Sequence, residues 1–370
     1  MQKALYFMPD ISGFTKFVNN TELEHSIHII AELLEILLDN TTIDLQLVEI
    51  EGDALFMYTT KIPDYYQLLG QTTIMLERFH RHTKDYETKR ICNCGSCKTT
   101  INLDLKFLVH YGVLDFIKVK TIIKPYGRDV IKIHRLLKNK VPINEYVLFT
   151  NSAYELYKNQ MDETWVRTSE TYDLKSLEYF YKNLENVKNS ITIETEKHSN
   201  ENSKNSHPTL TIEKTFNTNI QDLYTYVSDL KYRHLWDKDV KRIDFDNNKI
   251  NRVGTVHNCI LNLEQLKFET IKGLASDSII YGEKTKDMMF TKNFSYLIKL
   301  HKIDKNTTQV TLNLFLDFTT IGIFIKGNIL KMVLKTWNTK LEQLHQVSKN
   351  KIMVNILSGL YFLYVSFHTN

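Results

Sequence analysis

The apolar run Ala4–Met8 is short and continuous and predicts a strand near 3–8. From His25 to Leu38 apolar residues recur at helical spacing and predict an amphipathic helix near 23–39. Apolar runs near 43–50 and 53–59 flank Gly52 and read as the two strands of a hairpin. A helix near 65–83 follows, then a polar loop carrying cysteines, and strands near 103–111 and 115–123. After these come a helix near 128–139, a strand near 145–149 and a short helix near 151–158. This alternation predicts an α/β sandwich with helices packed on a mostly antiparallel sheet. The second half has a different rhythm. Alternation over Leu210–Phe216 predicts a strand, and Ile220–Leu230 a short helix. Period-2 runs then pass through Leu261, Thr270, Ile280, Leu300 and Phe318, and a long helix near 326–348 closes the pattern. The fold class expected is α+β.

Between the halves, residues 193–207 (IETEKHSNENSKNSH) lack any apolar period and bury too little to offset their ordering entropy. The expected organisation is therefore a domain at 1–190, a polar linker at 191–207, a second domain at 208–350 and an apolar tail at 351–370. The tail segment Ile352–Phe367 holds 16 residues interrupted by Asn355, short of the roughly 18–20 that span a bilayer. We read it as a packed tail. The alternative is an interfacial membrane contact, helped by Lys331, Lys335, Lys340, Lys349 and Lys351.

Composition narrows the class. Hydrophobic residues make up 42% and charged residues 24%, as in an ordinary soluble globular protein. A net charge of +4 on this length gives no warrant for nucleic-acid binding. Too few apolar residues precede Pro9 for a signal-peptide core, and four cysteines make no disulfide framework, so a cytoplasmic location is expected.

Two segments carry the candidate chemistry. Pro9-Asp10-Ile11-Ser12-Gly13-Phe14-Thr15 reads as strand, glycine turn and helix, and Glu49-Ile50-Glu51-Gly52-Asp53-Ala54 as a hairpin turn. Either alone is also an ordinary capping or hairpin turn. If the strands are neighbours in one sheet, Asp10 and Asp53 meet at its edge. Paired carboxylates hold hard divalent cations, and the backbone N–H groups of Gly13, Phe14 and Thr15 suit phosphate oxygens. At these residues the chain resembles the class III nucleotidyl cyclases, whose metal aspartates lie in a D-I-x-G-F-T turn and an I-G-D hairpin. The resemblance implies a ferredoxin-like cyclase-type sandwich, Mg²⁺ or Mn²⁺ on Asp10 and Asp53, a nucleoside triphosphate and a homodimer whose site is shared between subunits.

The resemblance also assigns roles that this chain fills unevenly. The family pattern G-x-T-V-N-x-A-x-R falls on Gly127–Arg135. Arg135 occupies the phosphate-contacting arginine position, or is a solvated helix charge beside Lys132 and Lys138. Ile131 stands where an asparagine would position the ribose, and isoleucine makes no hydrogen bond. Losing one such polar contact costs on the order of 10²–10³ in rate. Glu49 and Lys124 fall on the two base-selecting positions but match neither the adenine nor the guanine set; Glu49 is equally readable as a solvent-facing strand residue. E-I-E-G-D-A, C-x-C-x-x-C, L-K-F-x-V-H-x-G and D-V-I-x-x-H-R-L-L-K-N together resemble one uncharacterised bacterial cyclase-like family. His110 and His134 sit among apolar neighbours and are expected to serve packing.

Cys92, Cys94 and Cys97 put three thiols within six residues. They suit one zinc ion if a fourth ligand comes from His80, His82, His110 or a second subunit; a redox-sensitive cluster and ordinary loop cysteines are the alternatives. Cys259, within an expected strand, reads as a core residue. The order of elements over 208–350 resembles the START-like or polyketide-cyclase-like helix-grip fold, which implies a cavity for a hydrophobic small molecule. Three functions remain open: a divergent, catalytically impaired cyclase-like module coupled to a ligand-binding domain in a signalling role, an active cyclase, and a carrier of lipids or hydrophobic metabolites. The first is the expected one.

Overall fold

The computed structural model describes residues 2–19, 23–92, 94–172, 175–191, 207–262, 264–271 and 279–349. The tail at 351–370 and all but the ends of the linker lie outside the described residues. The chain divides into two compact units, residues 1–88 with 93–195, and residues 89–92 with 196–370.

In the first unit β1 (Lys3–Ser12) leads through Gly13 into α1 (Phe14–Asn19) and α2 (Leu23–Asp39). The hairpin β2 (Gln46–Glu51) and β3 (Ala54–Thr59) precedes α3 (Tyr65–Lys89) and the short α4 (Gly95–Thr99). Next are β4 (Asp104–Val113), β5 (Asp115–Val119), β6 (Ile122–Tyr126) and α5 (Arg128–Leu136). The unit ends with β7 (Tyr146–Thr150), α6 (Asn151–Tyr157), β8 (Trp165–Tyr172), β9 (Lys175–Asn183) and α7 (Glu185–Ser190). One sheet runs β2-β3-β1-β4-β7-β9-β8, antiparallel throughout except for the β4–β7 pair. Ala4 through Met8 are fully buried, because β1 is central and covered on both faces, and this is why the run is continuous rather than alternating. Ala4, Tyr6 and Met8 share a cluster with Ile133 and Leu136 of α5.

Two expectations need correction. The single strand expected at 115–123 is a separate two-stranded ribbon, β5–β6, turning at Lys120 with φ 55°. Two strands not anticipated, β8 and β9, complete the far edge of the main sheet.

The second unit contains β10 (Leu210–Phe216), α8 (Ile220–Ser228) and α9 (Arg233–Trp236). The strands β11 (Arg242–Asp244), β12 (Val256–Ile260), β13 (Gln265–Ile271), β14 (Ile279–Thr285), β15 (Thr291–Lys302) and β16 (Thr308–Phe318) follow. They form an antiparallel meander closed by β10 on β16, and α10 (Thr320–Phe324) leads into the long α11 (Lys326–Lys349). Ile329, Val333, Trp337, Leu341 and Leu344 of α11 pack with Ile298, Val310 and Leu312 of the sheet. Their spacing of three or four is one helix face; Leu334, one position off that face, is 38% exposed. No helix among the described residues is long and apolar enough to cross a membrane.

Candidate functional site

The sheet order brings the two aspartates together. Asp10 lies near the end of β1, opposite Ala54 of β3, and the Ile11 N–H donates to the Asp53 carbonyl at 3.2 Å. Gly52, at φ 66°, supplies the left-handed residue of the β2–β3 turn that presents Asp53. Burial, together with the neighbouring Asp10 carboxylate, pushes Asp53 up to about 7. Burial likewise raises Asp10, against the opposing pull of Lys106, whose Nζ is 2.8 Å from Asp10 Oδ2. Two crowded, desolvated carboxylates with a single ammonium, paired to Asp10, are short of positive charge. That donor set is all oxygen and hard, and it fits Mg²⁺ or Mn²⁺.

Gly13, at φ 89°, makes the turn out of β1, and the Phe17 N–H donates back to its carbonyl at 3.0 Å. Phe14 and Thr15 open α1 immediately after it.

The two positions expected to select a base meet each other. Lys124 of β6 ion-pairs with Glu49 of β2, both partly exposed. Next to them, His134 Nε2 is 2.6 Å from Glu51 Oε1 and Nδ1 2.7 Å from the Val130 carbonyl, so this histidine bridges α5 to the hairpin and is more than packing. Ile131 is 51% exposed, an apolar side chain on an open helix face. Arg135 is exposed in the last turn of α5.

His110 is buried as expected, but in a hydrogen-bonded network that the sequence did not reveal. Its Nδ1 is 2.8 Å from Thr150 Oγ1 and its Nε2 3.0 Å from Asp129 Oδ1. Asp129 Oδ2 accepts the Val113 N–H at 2.8 Å. The His110 hydrogen bond and the Val113 N–H hold Asp129 down at about 2, while burial holds His110 below its ordinary range. Gly112 makes room: a Cβ there would lie 2.4 Å from Asp129 Cγ. The His-x-Gly and Asp-Val-Ile motifs are thus the two halves of one buried contact.

The histidines expected beside the cysteine loop are engaged elsewhere. His80 pairs with buried Glu145, and His82 Nε2 lies 3.1 Å from Glu32 Oε2. The histidine at the cysteines is His25, whose Nδ1 is 3.2 Å from Cys94 Sγ and 3.4 Å from Cys97 Sγ.

The second unit holds a buried charged cluster. Arg233 Nη2 donates to the Glu283 carboxylate and, at 3.0 Å, to the Tyr296 hydroxyl. Tyr281 also donates to Glu283, and His257 Nε2 is 3.6 Å from it. Burial opposes ionisation of Glu283, yet Arg233 and then His257 hold its carboxyl below the ordinary range. Cys259 is buried and pushed up to about 12 by desolvation, as a core cysteine should be.

Residues 30–146 match the family described as "Protein of unknown function (DUF2652)". The match takes in Asp53, the cysteine loop and Arg135, and leaves Asp10 and His25 outside it. An uncharacterized protein of Mycobacterium tuberculosis is 34% identical over 121 residues, 33% of this chain and 57% of that protein. The chain therefore spans a little over half the length of that curated relative. Among solved structures the chain is similar to a guanylyl cyclase domain from the aquatic fungus Blastocladiella emersonii, with 16% identity over 49% of this chain and 96% of that one and a TM-score of 0.34. It is also similar to a norcoclaurine synthase of Thalictrum flavum, with 10% identity over 38% of this chain and 94% of that one and a TM-score of 0.31.

Proposed function

We propose that the first unit is a divergent nucleotidyl-cyclase-like module that holds Mg²⁺ or Mn²⁺ and a nucleoside triphosphate with little or no turnover. The observation that carries this reading is the Asp10–Asp53 pair, set side by side by adjacent strands, both raised in pKa by burial and Asp53 further by the charge of Asp10. A divalent cation there supplies the positive charge that the pair lacks and that a triphosphate requires. Gly13, Phe14 and Thr15 follow the pair directly and offer main-chain donors. Impaired turnover is supported by Ile131, which gives the ribose nothing to bond, and by Glu49 and Lys124, which neutralise each other instead of reading a base edge. Homodimerisation is supported by the β5–β6 ribbon, where Phe116, Val119, Ile122, Ile123 and Tyr126 are each more than 45% exposed. For the second unit the reading is a START-like domain taking a hydrophobic small molecule, supported by a long helix laid on an antiparallel meander. Together the units serve a cytoplasmic signalling role.

The test is calorimetric titration of the full chain with each nucleoside triphosphate, with and without Mn²⁺, alongside chromatography for cyclic product. Mn²⁺-dependent binding without product is expected, and Asp10→Ala and Asp53→Ala should each abolish binding. Binding that survives both substitutions overturns the site; steady cyclic product overturns the impairment and leaves an active cyclase. Organic extraction of the same preparation should yield a hydrophobic compound in stoichiometric amount.

A further inference from the structure

We propose that His25, Cys92, Cys94 and Cys97 hold one structural zinc ion, with His25 as the fourth ligand that the cysteine loop lacks. The inference is independent of the nucleotide site. Two sulfurs flank a single ring nitrogen, Cys94 Sγ at 3.2 Å and Cys97 Sγ at 3.4 Å from His25 Nδ1. A single ring nitrogen at nearly equal distance from two sulfurs is the spacing of ligands around one shared cation. Around tetrahedral zinc, with Zn–S of about 2.3 Å and Zn–N of about 2.0 Å, each N–S edge is about 3.5 Å, close to both separations. Cys92, two residues before Cys94 in the chain, supplies the remaining thiol. Three thiolates and an imidazole are a closed set for a borderline-soft cation and a poor one for Mg²⁺.

The surroundings favour thiolates. Cys94 Sγ accepts the Cys97 N–H at 3.4 Å, and the Tyr86 hydroxyl lies 3.5 Å from Cys97 Sγ with both residues almost fully buried. Hydrogen bonds of this kind steady a metal-bound sulfur and offset its burial. The four cysteines of the chain form no disulfide. His25 stands in the first turn of α2, and α4 packs against both α1 and α2. Zinc at this point ties the start of α2 to the cysteine loop, and with it the α1 segment that follows the Gly13 turn. Its role is a clamp. Four protein ligands leave no position for substrate.

Elemental analysis of the full chain, purified under reducing conditions without chelators, tests this directly. One equivalent of zinc per chain is expected in the natural sequence and in Asp10→Ala, which leaves the cysteine loop untouched. His25→Ala and Cys94→Ser should retain less than about a tenth, whereas His25→Cys, a fourth thiolate, should keep the metal. Tyr86→Phe should weaken zinc in chelator competition by about tenfold. Because a variant can fail by misfolding, a second measurement uses the natural chain alone: titration with a mercurial should release zinc in step with modification of three thiols. Zinc-free natural protein, zinc undiminished in His25→Ala, or release unconnected to thiol modification would each overturn the assignment.

Discussion

Replacing Asp129 by asparagine removes one negative charge and almost no volume, and the structure gives the cost. Asp129 accepts from His110 Nε2 at 3.0 Å and from the Val113 N–H at 2.8 Å, and is held at about 2 against an ordinary 3.8. That difference of about 1.8, at about 1.4 kcal/mol each, is roughly 2.4 kcal/mol before screening. The side chain is 21% exposed, and solvent screening about halves the figure to roughly 1 kcal/mol. The sign follows from a depressed carboxyl. The stabilisation is complete above the unfolded value near 4 and is lost as pH falls through about 2. Amide exchange of peptides from β4 reports this unit alone, and about 1 kcal/mol corresponds to roughly fivefold faster exchange in Asp129→Asn at pH 7. The ratio of variant to natural rates should hold to about pH 5, and the free-energy gap should fall to about half or less by pH 3. A gap that persists undiminished at pH 3 would show that shape, not charge, makes the contact. No gap at pH 7 would refute the network.

Two further outcomes are expected. Gly112→Ala should destabilise the first unit by about 2–4 kcal/mol in denaturant titration, because the added Cβ, 2.4 Å from Asp129 Cγ, drives the carboxylate off the Val113 N–H. In the second unit Arg233→Met should cost about 3–5 kcal/mol by leaving buried Glu283 uncompensated, and Arg233→Met with Glu283→Gln should recover most of it; equal losses in the single and double variants would refute the pairing.

What the sequence made legible was local. Asp10 and Asp53 each sit near a glycine that fixes a turn, the first between an apolar strand and a helix and the second between two apolar strands. Placing them together required only that β1 and β3 be neighbours. The β5–β6 ribbon was misread because its turn uses Lys120 at positive φ instead of glycine or asparagine, so no breaker interrupts the apolar run. The strand β8 was missed because Trp165–Tyr172 is polar at most positions, the composition of an outer strand with little to bury.

The partners of the histidines were the illegible part, and the reason is geometric. His80 and His82 are near Cys92 in sequence, but α3 continues to Lys89, and a rigid helix at 1.5 Å per residue carries them roughly 10–14 Å back from its end. Sequence proximity along a helix is therefore separation in space. There the two histidines find Glu145 and Glu32. His25, 67 residues before Cys92, had no local mark beyond its place at the start of an amphipathic helix. Only the packing of α2 on α4 puts it between two sulfurs. The same holds for Glu49 with Lys124 and for Asp129 with Gly112: each residue was singled out by a motif, and each motif's meaning lies in a contact between two of them.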